Sequence, residues 1–224
     1  MKNILIREQQ FNRLFILNEA ADDGFNPKMI DRISSFRGRL NYCKEHLGRP
    51  IGTGSSRAVF QIDDEKILKL AINPRGITQN KAEDERFIQT YGITTEVVDS
   101  NSDGLWIISE FAIPANKKDF QVCLGITYDE YCEFVKKSAR RYLPNGRRPY
   151  SEMSDERYEY LLENNEWLLQ LDSYMADYKI KGWADLTVFR NIGMVKRNGE
   201  PTIVILDYGF NNDSVDEYKK WRNW

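Results

Sequence analysis

Residues 51–71 read IGTGSSRAVFQIDDEKILKLA. A loop of small residues enters a β-branched and aromatic run, turns through an acidic stretch, and returns as an apolar strand carrying one lysine. Small residues between two strands let backbone N–H groups approach phosphate oxygens with no Cβ in the way, which is the physical use of Gly52, Gly54, Ser55 and Ser56. Lys69 stands between Leu68 and Leu70, and burying an ammonium there requires a carboxylate or a polyanion beside it. Alternation along a half-buried strand also permits a lysine on the solvent face.

The flanking segments supply context. RPIGT, RAVFQI and KILKLA predict a three-stranded antiparallel meander. ITQNKAEDERFIQTYG predicts one helix ending at Gly92, and TTEVVDS and LWIISEFA predict two further strands around the turn NSDG. On that helix Glu83 lies one turn before Phe87 and two before Tyr91, so it shares their face and meets Lys69 if the face packs on the sheet. Glu85 is the weaker partner.

Near the other end, PTIVILDYGFN (201–211) is a β-rich run that stops at Asp207-Tyr208-Gly209. It is expected to pair with the strand in GWADLTVFRNIGMV across the turn KRNGEP. A strand followed by an ordinary turn accounts for Asp207 and Gly209 taken alone. Asn191, at the start of NIGMV, brings an amide oxygen to the same edge, and carboxylate plus amide oxygen suits Mg²⁺ with substrate phosphates and water completing its shell. Asp185, in WADLTVFRN, is a further carboxylate placed to accept a proton or orient a nucleophile.

The chain of 224 residues is 41% hydrophobic and carries a net charge of −2, enough apolar residue for an ordinary core and no global attraction to nucleic acid or anionic membrane. Its three cysteines, Cys43, Cys123 and Cys132, lack CxxC pairing, which argues against a disulfide framework or zinc site and predicts free, buried thiols. The single histidine, His46, sits near a predicted helix end, where the dipole favours it. No apolar run approaches a membrane span and the amino terminus is charged too early for a secretory signal, so a soluble, cytoplasmic protein is expected. NILIREQQFNRLFILNEA (3–20) and KMIDRISSFRGRLNYCKEHLG (28–48) predict two amphipathic helices, an extension laid against the next domain or a partner. Beyond Pro114 the chain is mainly helical, with helices expected at 127–143 and 155–179 and a hinge at 112–114.

The order of glycine-rich hairpin, strand lysine, helix glutamate, SEFA, DLTVFRN and LDYG resembles the protein-kinase-like superfamily, over about residues 48–211. The resemblance implies an α+β, two-lobed fold: a helical extension at 1–47, a small antiparallel β lobe at 48–112, and a minimal helical lobe at 113–224 with a basic insertion at 136–150. It implies ATP and Mg²⁺ as cofactors, Lys69 on the α- and β-phosphates and paired with Glu83, Asn191 and Asp207 on the metal, and backbone groups of Glu110 to Ala112 facing adenine. Asp185 takes the catalytic position, with Arg190 directly before Asn191 similar to the arginine of the tyrosine-kinase loop.

Departures from the pattern are specific. Six steps rather than five separate Asp185 from Asn191, Trp183-Ala184 replaces the usual histidine-arginine pair, and Thr187 stands where a phosphate-facing lysine is expected. Fifteen residues follow Gly209, too few for an activation segment and peptide-holding helices. These features predict an atypical ATP- and Mg²⁺-dependent phosphotransferase acting on a small molecule or partner protein. The alternatives are a nucleotide-binding pseudokinase serving as an interaction module, and a nucleotidyl transferase on the same fold. The tail EYKKWRNW, with Trp221 and Trp224, and the amino-terminal helices are candidate protein-docking elements. KKSARRYLPNGRRPY (136–150) packs basic residues around Tyr142 and Tyr150, suited to phosphates or single-stranded nucleic acid, or to solubility as a solvated insertion.

Overall fold

The computed structural model describes residues 24–85, 89–143, 148–178 and 183–208, which form a mixed α+β architecture. The 3–20 helix, Phe87, Gly209 and the tryptophan tail lie outside the described residues. The 28–48 stretch is two helices rather than one, α1 (Pro27–Asp31) and α2 (Phe36–Leu47). Both caps explain the break: Asn26 accepts from Lys28 N ahead of Pro27, and Ser35 accepts from Gly38 N at 3.1 Å, starting a new helix where side-chain oxygens satisfy free N–H groups. His46 occupies the last turn of α2, its ring 4.4 Å from that of Tyr42.

Five antiparallel strands follow, β1 (Gly52–Thr53), β2 (Arg57–Gln61), β3 (Lys66–Ala71), β4 (Val97–Ser100) and β5 (Trp106–Glu110), in the order β1-β2-β3-β5-β4. Central β3 pairs Lys69 with Val59 on one side and Ile107 on the other. Alternation then sorts the faces. Ala58, Phe60, Leu68 and Leu70 turn toward Ile30, Cys43 and Leu47 of the two amino-terminal helices, while Arg57 and Lys69 share the opposite face. Asp31 ties the extension down by accepting from Trp106 Nε1 at 2.8 Å and Asn101 Nδ2 at 2.9 Å. Burial pushes the Cys43 thiol up to about 12, whereas Cys123 and Cys132 are half-buried, so only one of the three expected buried thiols is fully enclosed.

The helix between β3 and β4 starts earlier and ends sooner than its periodicity predicts. α3 spans Pro74–Glu83, with Asn73 accepting from Arg75 N and Gly76 N ahead of Pro74, and Asp84 as its C-cap. Its first turn lies so close to the sheet that a Cβ on Gly76 would stand 2.2 Å from Ser56 O and 2.9 Å from Ala71 Cα. Asn80 Nδ2 donates to Lys69 O and Gly104 O, bonding the middle of the helix to the sheet.

A second sheet, β6-β7-β8, comprises β6 (Ile113–Pro114), β7 (Ile192–Arg197) and β8 (Glu200–Ile205). The expected hinge therefore contributes a strand. Asn198 and Gly199, at φ 51° and 85°, make the two-residue turn between β7 and β8 that a right-twisted hairpin favours. The WADLT and FRN stretches ahead of β7 are 3₁₀ turns, Trp183–Thr187 and Phe189–Asn191, so the hairpin begins only at Ile192. Four helices pack beside it: α4 (Lys117–Leu124), α5 (Tyr128–Tyr142), α6 (Asp155–Asn164) and α7 (Glu166–Tyr178). The expected 155–179 helix divides at Asn165, which leaves the helical region, accepts from Leu168 N and donates to Leu124 O at 2.8 Å. Phe120, Tyr131, Phe134, Tyr158, Leu168 and Tyr174 fill the core between them. No helix among the described residues is long and apolar enough to cross a membrane.

The segment at 92–95, ahead of β4, and Glu110 of β5 are bonded to the second sheet. Ile205 N donates to Ile93 O and Thr95 N to Ile205 O. Arg197 donates to Gly92 O, Thr94 O and Glu110 Oε2 at 2.7 to 2.8 Å.

Gly76→Ala should destabilise the protein by about 2 kcal/mol, because the methyl must displace backbone on both β2 and β3. Urea unfolding measures it, and a stability equal to wild type would show that α3 can lift away from the sheet freely.

Candidate functional site

The face of the first sheet that carries Arg57 and Lys69 is closed by α3 and by the end of β8. Lys69 Nζ donates to Glu83 Oε2 at 2.6 Å and to Leu206 O at 2.9 Å. Arg57 NH1 lies 2.7 Å from Glu83 Oε1 and NH2 donates to Asp207 Oδ1 at 3.0 Å. Arg57 NH1 also donates to Asn80 Oδ1 at 3.4 Å. Two cations from neighbouring strands thus share one carboxylate at 0% exposure.

Electrostatics follow from that sharing. Burial pushes the Glu83 carboxyl up, but Arg57 and Lys69 outweigh it and hold its pKa below the usual carboxylate range. Burial also opposes the Arg57 charge, yet Glu83 and Asp207 raise its pKa above the ordinary arginine value. Lys69 is lowered, by burial and by the nearby guanidinium, against the pull of Glu83.

The glycine-rich loop sits at the edge of this cluster. Gly54 N donates to Arg57 O, and Asn73 Nδ2 donates to Ser55 O at 2.8 Å. Ser55 is exposed, whereas Ser56 is buried with its hydroxyl donating to Gln79 Oε1. At Gly52 and Gly54 an added Cβ would meet nothing closer than 3.9 Å, and neither has positive φ, so the fold itself makes no demand for glycine at either position.

Asp207 follows β8 with its side chain 37% exposed. Ile192 pairs with Ile205, and Leu206 N donates to Asn191 O at 2.8 Å, which sets Asn191 beside the residue preceding Asp207. Asn191 Nδ2 donates to Asp185 O at 3.1 Å. Asp185 is half-buried, and burial raises its carboxyl, with Asp207 adding to the effect and Arg190, itself exposed, partly offsetting it. Tyr208 anchors the segment: its hydroxyl donates to Thr95 O at 2.9 Å and accepts from Gln89 Nε2 at 2.8 Å, and Lys69 Nζ lies 5.7 Å from its ring centre.

Asp185, Asn191 and Asp207 are the oxygen donors at this edge, a chemistry that fits Mg²⁺ better than softer ions. Among the described residues no group of three or more His, Cys, Asp or Glu side chains is arranged to hold a metal, so a divalent ion here needs the Asn191 amide, water or phosphate oxygens to complete its shell. One oxygen of Asp207 is already engaged by Arg57.

The other predicted residues lie further out. Glu110 ends β5 with its carboxylate on Arg197, and its N–H donates to Glu96 O; the Phe111 N–H donates to Glu65 O, and Ala112 leads into β6. Glu85 is exposed beyond the end of α3, while Glu83 alone of the two enters the cluster. The basic stretch is helical up to Tyr142, and Lys137, Arg140, Arg141, Arg148 and Asp155 line a cleft of about 480 Å³ that shares no residue with the Lys69 cluster. Lys137 pairs with Asp155 and Arg141 with Glu159 there.

Arg57, Gln79, Asn80 and Tyr208 belong to the site and were not singled out from sequence. A signal existed for three of them: Gln79, Asn80 and Glu83 share a helical face, and Arg57 opens an otherwise apolar strand. Comparison of the chain with protein-family models, curated proteins and solved structures gives no match.

Glu83 has a folded-state pKa below its ordinary 4.5, so the stability it contributes is complete above that pH and is lost as pH falls through the lower, folded-state value. Glu83→Gln should therefore cost about 3 kcal/mol near neutral pH, with the deficit shrinking as pH falls below the ordinary carboxylate value. Urea unfolding of both proteins across this range checks the sign, and a pH-independent deficit would assign the loss to packing.

Proposed function

We propose that this chain is an atypical, kinase-like phosphotransferase that uses ATP and Mg²⁺, with the five-stranded sheet as its small lobe and the helices with the second hairpin as a minimal large lobe. The observation that carries the reading is the buried Lys69–Glu83 pair, whose lysine also reaches the carbonyl of Leu206, immediately before Asp207. A strand lysine fixed by a helix glutamate beside a strand-end aspartate is the arrangement that positions nucleotide phosphates against a metal in kinases.

Glycines at 52 and 54 that the fold does not need support the same reading, since close approach of a phosphate to backbone N–H groups supplies the missing reason. Lys69 would meet the phosphates, and Asn191 and Asp207 would hold Mg²⁺, which when bound neutralises charge on the transferring phosphoryl group. Asp185, with its raised pKa, would take the acceptor's proton as general base. The acceptor is a small molecule or a partner protein.

Three observations favour the second reading, a nucleotide-binding pseudokinase. Arg57 already occupies Asp207, and the Asp185 loop keeps its six-step spacing and its threonine at 187. Transfer chemistry separates the two.

ATP with Mg²⁺ should raise the melting temperature by mass action, and Lys69→Ala should shrink the shift. No shift at millimolar nucleotide would remove the site. With γ- and α-labelled ATP and a cell extract as acceptor source, label from the γ position alone is expected. Retained α label would instead indicate nucleotidyl transfer, and binding without transfer the pseudokinase. Asp185→Asn should lower γ transfer by about a hundredfold or more with the melting shift unchanged; full activity in that variant would exclude it as the base.

A further inference from the structure

Arg57 has no place in the expected set of nucleotide-site residues, yet its side chain engages two of them, Glu83 and Asp207. In a Gly-x-Gly-x-x-Gly-x-Val loop, counting from Gly52 and Gly54 brings the third glycine position to Arg57 and the valine to Val59. The loop thus ends in a guanidinium where small size is usual. Its position is built rather than incidental: the side chain is 10% exposed, its residue pairs with Ala71 on the face of the sheet that also carries Lys69, and Asn80 and Glu83 from α3 both face it.

Arg57, Lys69, Glu83 and Asp207 together carry two positive and two negative charges, so the cluster is neutral without any bound ion. A divalent ion on Asp207 would place two further positive charges beside a guanidinium that does not deprotonate. Withdrawal of Arg57 would leave Asp207 without its cation and the buried Glu83 with Lys69 alone.

Taking Asp207 as the metal-facing carboxylate, which rests on the nucleotide-site reading above, we propose that Arg57 is the resident cation of Asp207 and sets the divalent-metal affinity of the site. In the nucleotide-free protein it keeps Mg²⁺ from loading at this carboxylate. Removing it leaves a net negative cluster with one cation short, which a divalent ion then fills through Asp207 and the neighbouring oxygen donors.

Mn²⁺ is the probe, its binding to the nucleotide-free full chain read from loss of the free-ion electron paramagnetic resonance signal. Wild type and Asp207→Asn should bind equally weakly, Arg57→Gln should bind roughly tenfold more tightly or better, and Arg57→Gln with Asp207→Asn should lose that gain. A folded Arg57→Gln that gains nothing, or a gain that survives Asp207→Asn, overturns the proposal. If Arg57→Gln fails to fold by circular dichroism, Arg57→Met takes its place: a gain lost on Asp207→Asn upholds the proposal, and no gain, or tight wild-type binding lost on Asp207→Asn, overturns it. The nucleotide reading is measured separately, by the ATP melting shift in chelator with wild type and Lys69→Ala. Failure of that shift with the Mn²⁺ pattern intact removes the nucleotide and leaves Arg57 as the cation of Asp207.

Discussion

Glu83 is a carboxylate wholly withdrawn from water, and the rest of the site is arranged around satisfying it. Removing one ionised carboxylate from water carries a penalty of several kcal/mol that only well-placed cations offset. Lys69 comes from β3 and Arg57 from β2, so both strands must be in register and α3 must lie across them before Glu83 is compensated. The supports are visible at each step: Gly76 admits the close approach, Gln79 holds Ser56, and Asn80 bonds the Lys69 and Gly104 carbonyls. Such a cluster adds little net stability over an apolar core of the same shape, but it tolerates few alternative dockings, because each leaves a buried charge alone.

The second half of the site depends on the first through short polar contacts. Lys69 donates to Leu206 O and Arg57 to Asp207, while Tyr208 bonds Thr95 and Gln89. The end of β8 is therefore held from three directions, with Arg197 fixing the opposite end of the same hairpin to residues 92–94 and Glu110. A rigid strand end is what the metal-facing role proposed for Asp207 would need, since catalytic geometry is lost with displacements of about 1 Å. The charge balance has a different consequence, because the same guanidinium that steadies Asp207 would compete with a cation for it.

Much of the fold was legible from local pattern. The β1-β2-β3 meander, the Asn-Gly hairpin and the helices flanking it follow from alternation, turn residues and apolar spacing, whereas the placement of β5 beside β3 does not. The errors were at boundaries. Ser35 and Asn165 interrupt runs whose apolar spacing continues across them, and Asn73 starts a helix ahead of its apolar run; in each case a side-chain oxygen accepts a backbone N–H left free at a helix start. WADLT, with its mixed apolar and acidic residues, closes as 3₁₀ turns against the helices rather than as strand. Within the site, Glu83 was distinguishable from Glu85 by helical phase alone, although this helix ends at Glu83.

The sequence by itself determined which residues could bear charge inside the molecule: a lysine between two leucines, a glutamate on the sheet-facing side of a helix, an aspartate closing an apolar strand. Those are local facts, set by strand and helix periodicity. Tertiary structure decided the pairing. Arg57 and Asp207 are 150 positions apart, and no local pattern links them. They meet because β2 lies next to β3 in one sheet and the end of β8 is held against Lys69, so that burial leaves each charge no partner except the ones the packing brings within about 3 Å.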